Sequence, residues 1–424
     1  MKSYISDDQR KYYNEEFQRK MIAEDVPHWE YKGKKYHSKM QAYLAAKSDW
    51  SSVHFNLYDN VFTKYDWTQR PDIDIEDMYD RRIIQLREKY DYIRIGYSGG
   101  TDSTAMLRAA HRTGVHVDEI FVYYVKDCDI IKRAEVDRSI KQLEQFGSYF
   151  DNTKLTMIGY GKEDVLKYYE VQPDISSSTY FNGTPNQLDY FYKHTVTKEF
   201  ADAVWYPIEK GLSHCDIYGK EPSIITKYDD KLVWYLPDHK TCYNTSAFSE
   251  WFYTSGDMPE FQSLQNWLSV DVMLRHGLET TDIVETNPEI WTDMLKTTKR
   301  YVHEGAFGDK ARRGTRKDVI RVYQYMDDPE FKQAFLNNWK TWHSSEIMRL
   351  GYPKISCHEA NSYVYGLEEN TVRSDITIPF FGAKRDKLNG YLSKEETEIV
   401  NYFKTLWLDL GLPGRDLNQE DEGQ

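Results

Sequence analysis

The chain has 424 residues, a length that supports more than one domain with its own apolar core. A net charge of −13 argues against binding nucleic acid through a global electrostatic field, because sequence-independent affinity comes from Lys and Arg neutralising phosphates. No run approaches the roughly 18 apolar residues of a membrane span, and Cys128, Cys215, Cys242 and Cys357 are too dispersed for a zinc cluster, so a reducing cytoplasm and no membrane are expected.

Residues 7–23 read as a helix, and 28–72 as an aromatic, turn-rich stretch; together residues 1–75 are expected to be an N-terminal accessory region with no assignable chemistry. A helix follows over 75–90, where Met78, Ile83, Ile84 and Leu86 form a partial apolar stripe. It leads into a short β-rich run, 92–97, then into Ser98-Gly99-Gly100-Thr101-Asp102-Ser103, then into a helix over 104–112 that Gly114 stops. The run 119–125 is continuously apolar, as in a strand buried on both faces of a parallel sheet. A helix over 137–146 and a strand over 155–158 repeat the β-α-β order, which predicts an α/β fold: a parallel sheet with helices on both faces.

Between 173 and 237 the pattern loosens into turns, with one hairpin, 223–226 and 231–236, around Asp229-Asp230; this region is expected to form a lid or substrate pocket. Helices are expected over 261–275, 289–304, 317–326 and 329–350. The expected division is an accessory region 1–75, a core domain 76–245, a mainly helical C-terminal domain 246–413 and a disordered acidic tail 414–424.

The chemistry is concentrated at 98–103. Gly99 and Gly100 let the backbone turn so that successive N–H groups converge on phosphate oxygens, and the helix that follows adds its positive end. The Ser98 and Ser103 hydroxyls can donate to the same anion, and Asp102 is placed to bind a phosphate-bridging Mg²⁺. The turn has neither the spacing of a Walker A loop nor that of a dinucleotide fold.

The SGGxDS pattern in its strand-to-helix context resembles the PP-loop of the N-type ATP pyrophosphatase superfamily, which includes asparagine synthetases, GMP synthetases, tRNA thiolases and sulfonucleotide reductases. The run 81–92 ahead of the loop and the segment 248–267 are similar to asparagine-synthetase-like proteins of tailed bacteriophages, which would place the protein in a host cytoplasm. The resemblance implies an adenine nucleotide alpha hydrolase-like core of the HUP type, with ATP and Mg²⁺ as cofactors. It implies that Tyr97 and the loop, Ser98 to Ser103, hold the β- and γ-phosphates, while main-chain groups near Val125 contact adenine. A substrate carboxylate or amide oxygen would then displace pyrophosphate at the α-phosphorus, and an amine or ammonia would expel AMP from the adenylate.

Further candidates lie around the loop. Lys126 and Asp127, just past the second strand, stand where open α/β sheets bind ligands; Lys126 can steady a phosphate and Asp127 a metal, or both can be solvated loop charges. Lys220 resembles a lysine segment of the phage relatives, displaced by one residue, and is assigned to transition-state charge. His214 is a weaker catalytic candidate. Lys310, Arg312, Arg313, Arg316 and Lys317 form a basic run able to clamp a polyphosphate or a nucleic-acid backbone, although most such runs are solvated faces.

The chain begins Met1-Lys2, without the cysteine at position two that glutamine-dependent asparagine synthetases expose, so no ammonia source of its own is expected. Ser356-Cys357-His358-Glu359 is a poor match to the cysteine segment of sulfonucleotide reductases. The favoured function is an AMP-forming ligase acting on a small molecule, nucleotide or modified base. The alternatives are a sulfur-transfer or tRNA-modifying PP-loop enzyme and a non-catalytic nucleotide-binding protein.

Overall fold

The computed structural model of the protein describes residues 7–36, 52–125, 139–160, 198–219, 223–228, 231–235, 248–275, 363–370 and 372–373, with a few isolated positions besides. Helix α1 (Asp7–Ala23) precedes a three-stranded antiparallel sheet, β1 (His28–Tyr31), β2 (Lys34–Tyr36) and β3 (Val53–Asn56), in the order β2-β1-β3. Short helix α2 (Asp59–Phe62) and helix α3 (Ile75–Lys89) follow. The Asp74 side chain caps α3 by accepting from the Glu76 N–H at 2.7 Å, and the acidic first turn and basic last turn both suit the helix dipole.

The central sheet contains five parallel strands: β4 (Tyr92–Gly96), β5 (Glu119–Val125), β6 (Lys154–Tyr160), β7 (His214–Tyr218) and β10 (Ser249–Trp251), in the order β10-β7-β4-β5-β6. Helix α4 (Thr101–Thr113) links β4 to β5 and ends at Gly114, which takes the left-handed conformation, φ 70°, expected of a helix-terminating glycine. Along β4 the side chains alternate. Ile93 and Ile95 enter the main core with Met78, Ile83 and Leu86 of α3, Met106 and Ala110 of α4, and Phe261 and Leu264 of helix α6 (Pro259–Arg275). On the other face, α1 lays Phe17 and Met21 against Phe121, Ile158 and Tyr218, with Ile208 of helix α5 (Lys198–Glu209) beside them. Helices on both faces of a parallel sheet are the α/β architecture expected from the sequence.

The other expectations fare unevenly. The hairpin is present as β8 (Ile224–Tyr228) and β9 (Lys231–Tyr235), extended by β11 (Val364–Gly366) and β12 (Val372–Arg373) into an antiparallel sheet. Strand β7 lies inside the stretch 173–237 that reads as loosely patterned, and β1 to β3 lie inside 28–72, which reads as turns. Strand β10 lies beyond the expected core boundary at residue 245 yet pairs parallel with β7, and α6 packs into the same core, so the elements of the sheet run past that boundary. The expected helices over 289–304 and 317–326, most of 329–350, and the tail 414–424 lie outside the described residues. No helix among the described residues is long and apolar enough to cross a membrane.

Buried charge is a feature of this sheet. Arg94 on β4 is fully buried and bonds Glu119 of β5 at 3.2 Å and Asp216 of β7 at 2.9 Å, both its register partners. Arg82 of α3 is equally buried and reaches Glu250 of β10 at 3.2 Å, where Lys89 and Tyr90 also bond. Burial pushes the Glu250 carboxyl up, but Arg82, Lys89 and the Tyr90 hydroxyl together hold it below the ordinary carboxylate range.

Candidate functional site

The strand order places a topological switch beside β4. From β4 the chain moves outward through β5 to β6, then returns to β7 on the opposite flank of β4. Open α/β sheets bind ligands in the crevice at such a switch, outside the carboxyl ends of the strands. The residues following β4 at that edge are Ser98 to Ser103.

The turn is held from within and from behind. The Ser98 N–H donates to Ser103 Oγ at 3.3 Å, the two hydroxyls are 3.4 Å apart, and the Gly100 N–H donates to Ser98 Oγ at 3.3 Å. Ser103 Oγ also donates to the Gly100 carbonyl at 3.2 Å. Ser139 Oγ donates to the Ser98 carbonyl at 2.9 Å, which fixes that peptide from outside the loop. Gly99 has φ +68°, and a Cβ there would fall inside van der Waals contact of Ser139 Oγ and 3.0 Å from Ser139 Cα. A side chain at this position is therefore opposed both by backbone conformation and by the neighbour that pins the loop.

Helix α4 starts at Gly100 with no side chain capping it, an arrangement in which a bound anion can serve as the cap. Ser98 and Gly100 are exposed at the crevice, while Ser103 is buried beneath them. Asp102 is half-buried. Its carbonyl accepts from Tyr253 Oη at 2.7 Å, and a Cβ on Gly219, the residue after β7, would come within 2.9 Å of its own Cβ. The ends of β4 and β7 are thus in contact, and the crevice between them has the Ser98–Ser103 turn on one wall.

The residues expected at the site divide three ways. Ser98, Gly99, Gly100, Asp102 and Ser103 come together in the turn, with Thr101 as the first residue of α4. Val125 ends β5, paired with Tyr160, on the flank of β4 away from β7. The Tyr97 ring is packed in the main core and its hydroxyl donates to Gln142 Oε1 at 3.3 Å, because alternation along the strand turns it to the Ile93 and Ile95 face. It supports the loop from below. His214, the weaker candidate, stands away from the turn. It pairs with Tyr92 at the amino end of the sheet, opposite the turn, and burial beneath Phe248 pushes its imidazole down to about 3, so it is a neutral core side chain.

Lys126, Asp127, Lys220 and the run from Lys310 to Lys317 lie outside the described residues. Among the described residues no three His, Cys, Asp or Glu side chains converge as a metal site, and Asp102 is the carboxylate that the turn itself carries toward a phosphate-bound Mg²⁺. Mg²⁺ commonly takes one or two carboxylates and completes its shell with water and phosphate oxygens, which this donor set fits. Sequence reasoning missed Ser139, Gln142, Gly219 and Tyr253, all of which reach the loop from elsewhere in the chain.

No protein-family model matches the chain, and no curated protein matches it. Solved structures do. The NH3-dependent NAD synthetase from Campylobacter jejuni subsp. jejuni NCTC 11168, in complex with the nitrate ion, is 16% identical with a TM-score of 0.29, covering 55% of this chain and 96% of its own. NMN synthetase from Francisella tularensis is 9% identical with a TM-score of 0.27, covering 57% of this chain and 100% of its own. At these values the likeness carries no argument of its own, and the chemistry rests on the geometry of the turn.

Proposed function

We propose that the protein is a PP-loop enzyme that binds ATP at the β4–α4 turn and transfers AMP to a carboxylate or amide oxygen of an acceptor, releasing pyrophosphate. The observation that carries this reading is the SGGTDS turn itself. It stands at the switch point of a parallel sheet, has Gly99 in a left-handed conformation, and starts a helix with no side-chain cap.

In this reading the loop N–H groups and the Ser98 and Ser103 hydroxyls bind the β- and γ-phosphates, which leaves the α-phosphorus open to the crevice. The acceptor oxygen forms a new bond to the α-phosphorus as the bond to the bridging oxygen breaks, and pyrophosphate leaves in the loop. An amine or ammonia then attacks the activated carbon and AMP departs. Asp102 would hold a bound Mg²⁺, which would supply charge neutralisation on the polyphosphate. Lys220 follows Gly219, which stands against Asp102, and this chain connection supports its assignment to the charge that develops on the leaving group; Lys126 and Asp127 follow β5 and are assigned to phosphate and metal.

Sulfur transfer through Cys215 is disfavoured, because that thiol lies fully buried in the sheet and burial pushes its pKa up. The test is product analysis from Mg·ATP for wild type and Asp102→Ala against amino acids, nucleotides, deazaguanine carboxylates and tRNA. AMP and pyrophosphate released with one acceptor, and lost in the variant, are expected. ADP and phosphate would overturn attack at the α-phosphorus, and ATP binding without turnover on any acceptor would favour a nucleotide-binding protein.

A further inference from the structure

Two chain segments reach Asp102 from the β7 and β10 side of the crevice, at Gly219 and at Tyr253. Residues close after each of them in sequence belong to one polar cluster. Ser223 lies a little beyond Gly219, and Thr254 follows Tyr253; they meet Gln262 and Asn266, one turn apart on α6. Thr254 Oγ1 donates to Gln262 Oε1 at 2.7 Å, and Gln262 Nε2 donates to Ser223 Oγ and to Asn266 Oδ1, each at 2.9 Å. Ser223 Oγ completes the ring by donating to Asn266 Oδ1 at 2.5 Å.

These bonds leave one group over. Asn266 is completely buried, its carbonyl oxygen takes two donors, and its Nδ2 has no hydrogen-bond partner among the described residues. A buried amide donor without a partner is costly, and native proteins retain few of them without a ligand, ion or water that completes the bond. With Gln262 Nε2 and Ser223 Oγ as donors, the carboxamide oxygen of Asn266 is the end that faces them. The position is also the right one for a substrate. Ser223 and Thr254 follow the carboxyl ends of β7 and β10 in the chain, and the turn after β4 follows the carboxyl end of its own strand in the same parallel sheet.

We infer that the Ser223–Gln262–Asn266 cluster is the acceptor subsite, in which Asn266 Nδ2 donates to a carboxylate or carboxamide oxygen of the molecule to be adenylated. The inference rests on the adenylation reading for the name of the ligand, and on the unpaired buried donor for the site. The cluster consists of hydroxyls and carboxamides, so it recognises the oxygen by directed hydrogen bonds.

The test uses the full chain with selectively ¹⁵N-labelled asparagine, saturated with Mg²⁺ and a non-hydrolysable ATP analogue. L-aspartate and benzoate serve as carboxylate probes, and L-asparagine and benzamide as carboxamide probes. Saturable movement of the Asn266 side-chain NH₂ resonances with at least one probe is expected, and the responding pair identifies the class. Asn266→Asp, which replaces the donor by an acceptor of the same shape, is expected to weaken that probe at least tenfold while Mg·ATP affinity stays within twofold. If the variant does not fold, the wild-type resonances still decide the matter. No movement with any probe, cross-peaks to water alone, or equal binding by Asn266→Asp would overturn the inference. Failure of wild type to bind Mg·ATP would instead remove the adenylation reading and leave the probe titration to be read separately.

Discussion

Replacing Gly99 by alanine tests the loop where its geometry is most demanding. The native φ of +68° costs an L-residue about 1–2 kcal/mol. The added methyl also collides with Ser139 Oγ, the group that donates to the Ser98 carbonyl at 2.9 Å, and losing that bond costs about 1 kcal/mol. A loop at the sheet edge can escape this strain by changing shape, so the penalty of about 2–3 kcal/mol falls mainly on ligand binding. It corresponds to roughly 30- to 150-fold weaker binding of Mg·ATP or pyrophosphate by titration calorimetry. Gly114→Ala is the control: its φ is +70°, but nothing lies within 4 Å of the added methyl, and it sits at the far end of α4. That variant should lose stability and keep its nucleotide affinity. Ser139→Gly in the Gly99→Ala background removes the contact with Oγ, while the one with the Cα stays, and should restore part of the loss. Wild-type affinity in Gly99→Ala would refute the reasoning.

Other substitutions probe the frame around the loop. Gly219→Ala brings a methyl to 2.9 Å from Asp102 Cβ, and nucleotide affinity should fall at least tenfold by the same titration, with the melting temperature changing little because the contact lies at the sheet edge. Arg94→Met leaves Glu119 and Asp216 buried without their cation and should cost about 3–5 kcal/mol in denaturant unfolding. His214, held down at about 3 by burial, binds fewer protons folded than unfolded between pH 3 and about 6.5. Stability therefore falls as pH drops through that window, by up to about 1.4 kcal/mol per unit. His214→Phe should remove this slope, as read from unfolding midpoints at pH 7, 6 and 5; parallel curves would contradict it.

The core of the fold was legible because β4, the glycine turn, α4 and β5 follow one another with their usual signals: a short β-rich run, two glycines, a helix stopped by Gly114 and the apolar run EIFVYYV. Strand β7 was hidden by its own chemistry. His214 and Asp216 interrupt its apolar pattern, and only Arg94 in β4, far away in sequence, explains why a strand can carry them. Strand β10 is three residues long and contains Glu250, which Arg82, Lys89 and Tyr90 satisfy from α3 and its end. The aromatic surplus between 28 and 72 belongs partly to packing, with Trp29 against Phe55 and Phe62 and Trp67 against Trp234. For the site, the loop motif was readable because its residues are contiguous in the chain. The groups that hold it, Ser139, Gly219 and Tyr253, come from three distant segments, and no local pattern announces a hydroxyl that will meet a carbonyl across the fold.

The central claim is that the turn after β4 cradles the pyrophosphate end of ATP. It is tested most directly by mapping backbone amide resonances of ¹⁵N-labelled protein titrated with Mg²⁺ and α,β-methylene-ATP, and then with inorganic pyrophosphate. Both ligands are expected to produce their largest shifts at Ser98, Gly99, Gly100, Asp102 and Ser103, with the two patterns coinciding there. Binding that leaves those amides unmoved, with the shifts concentrated elsewhere on the sheet, would contradict it.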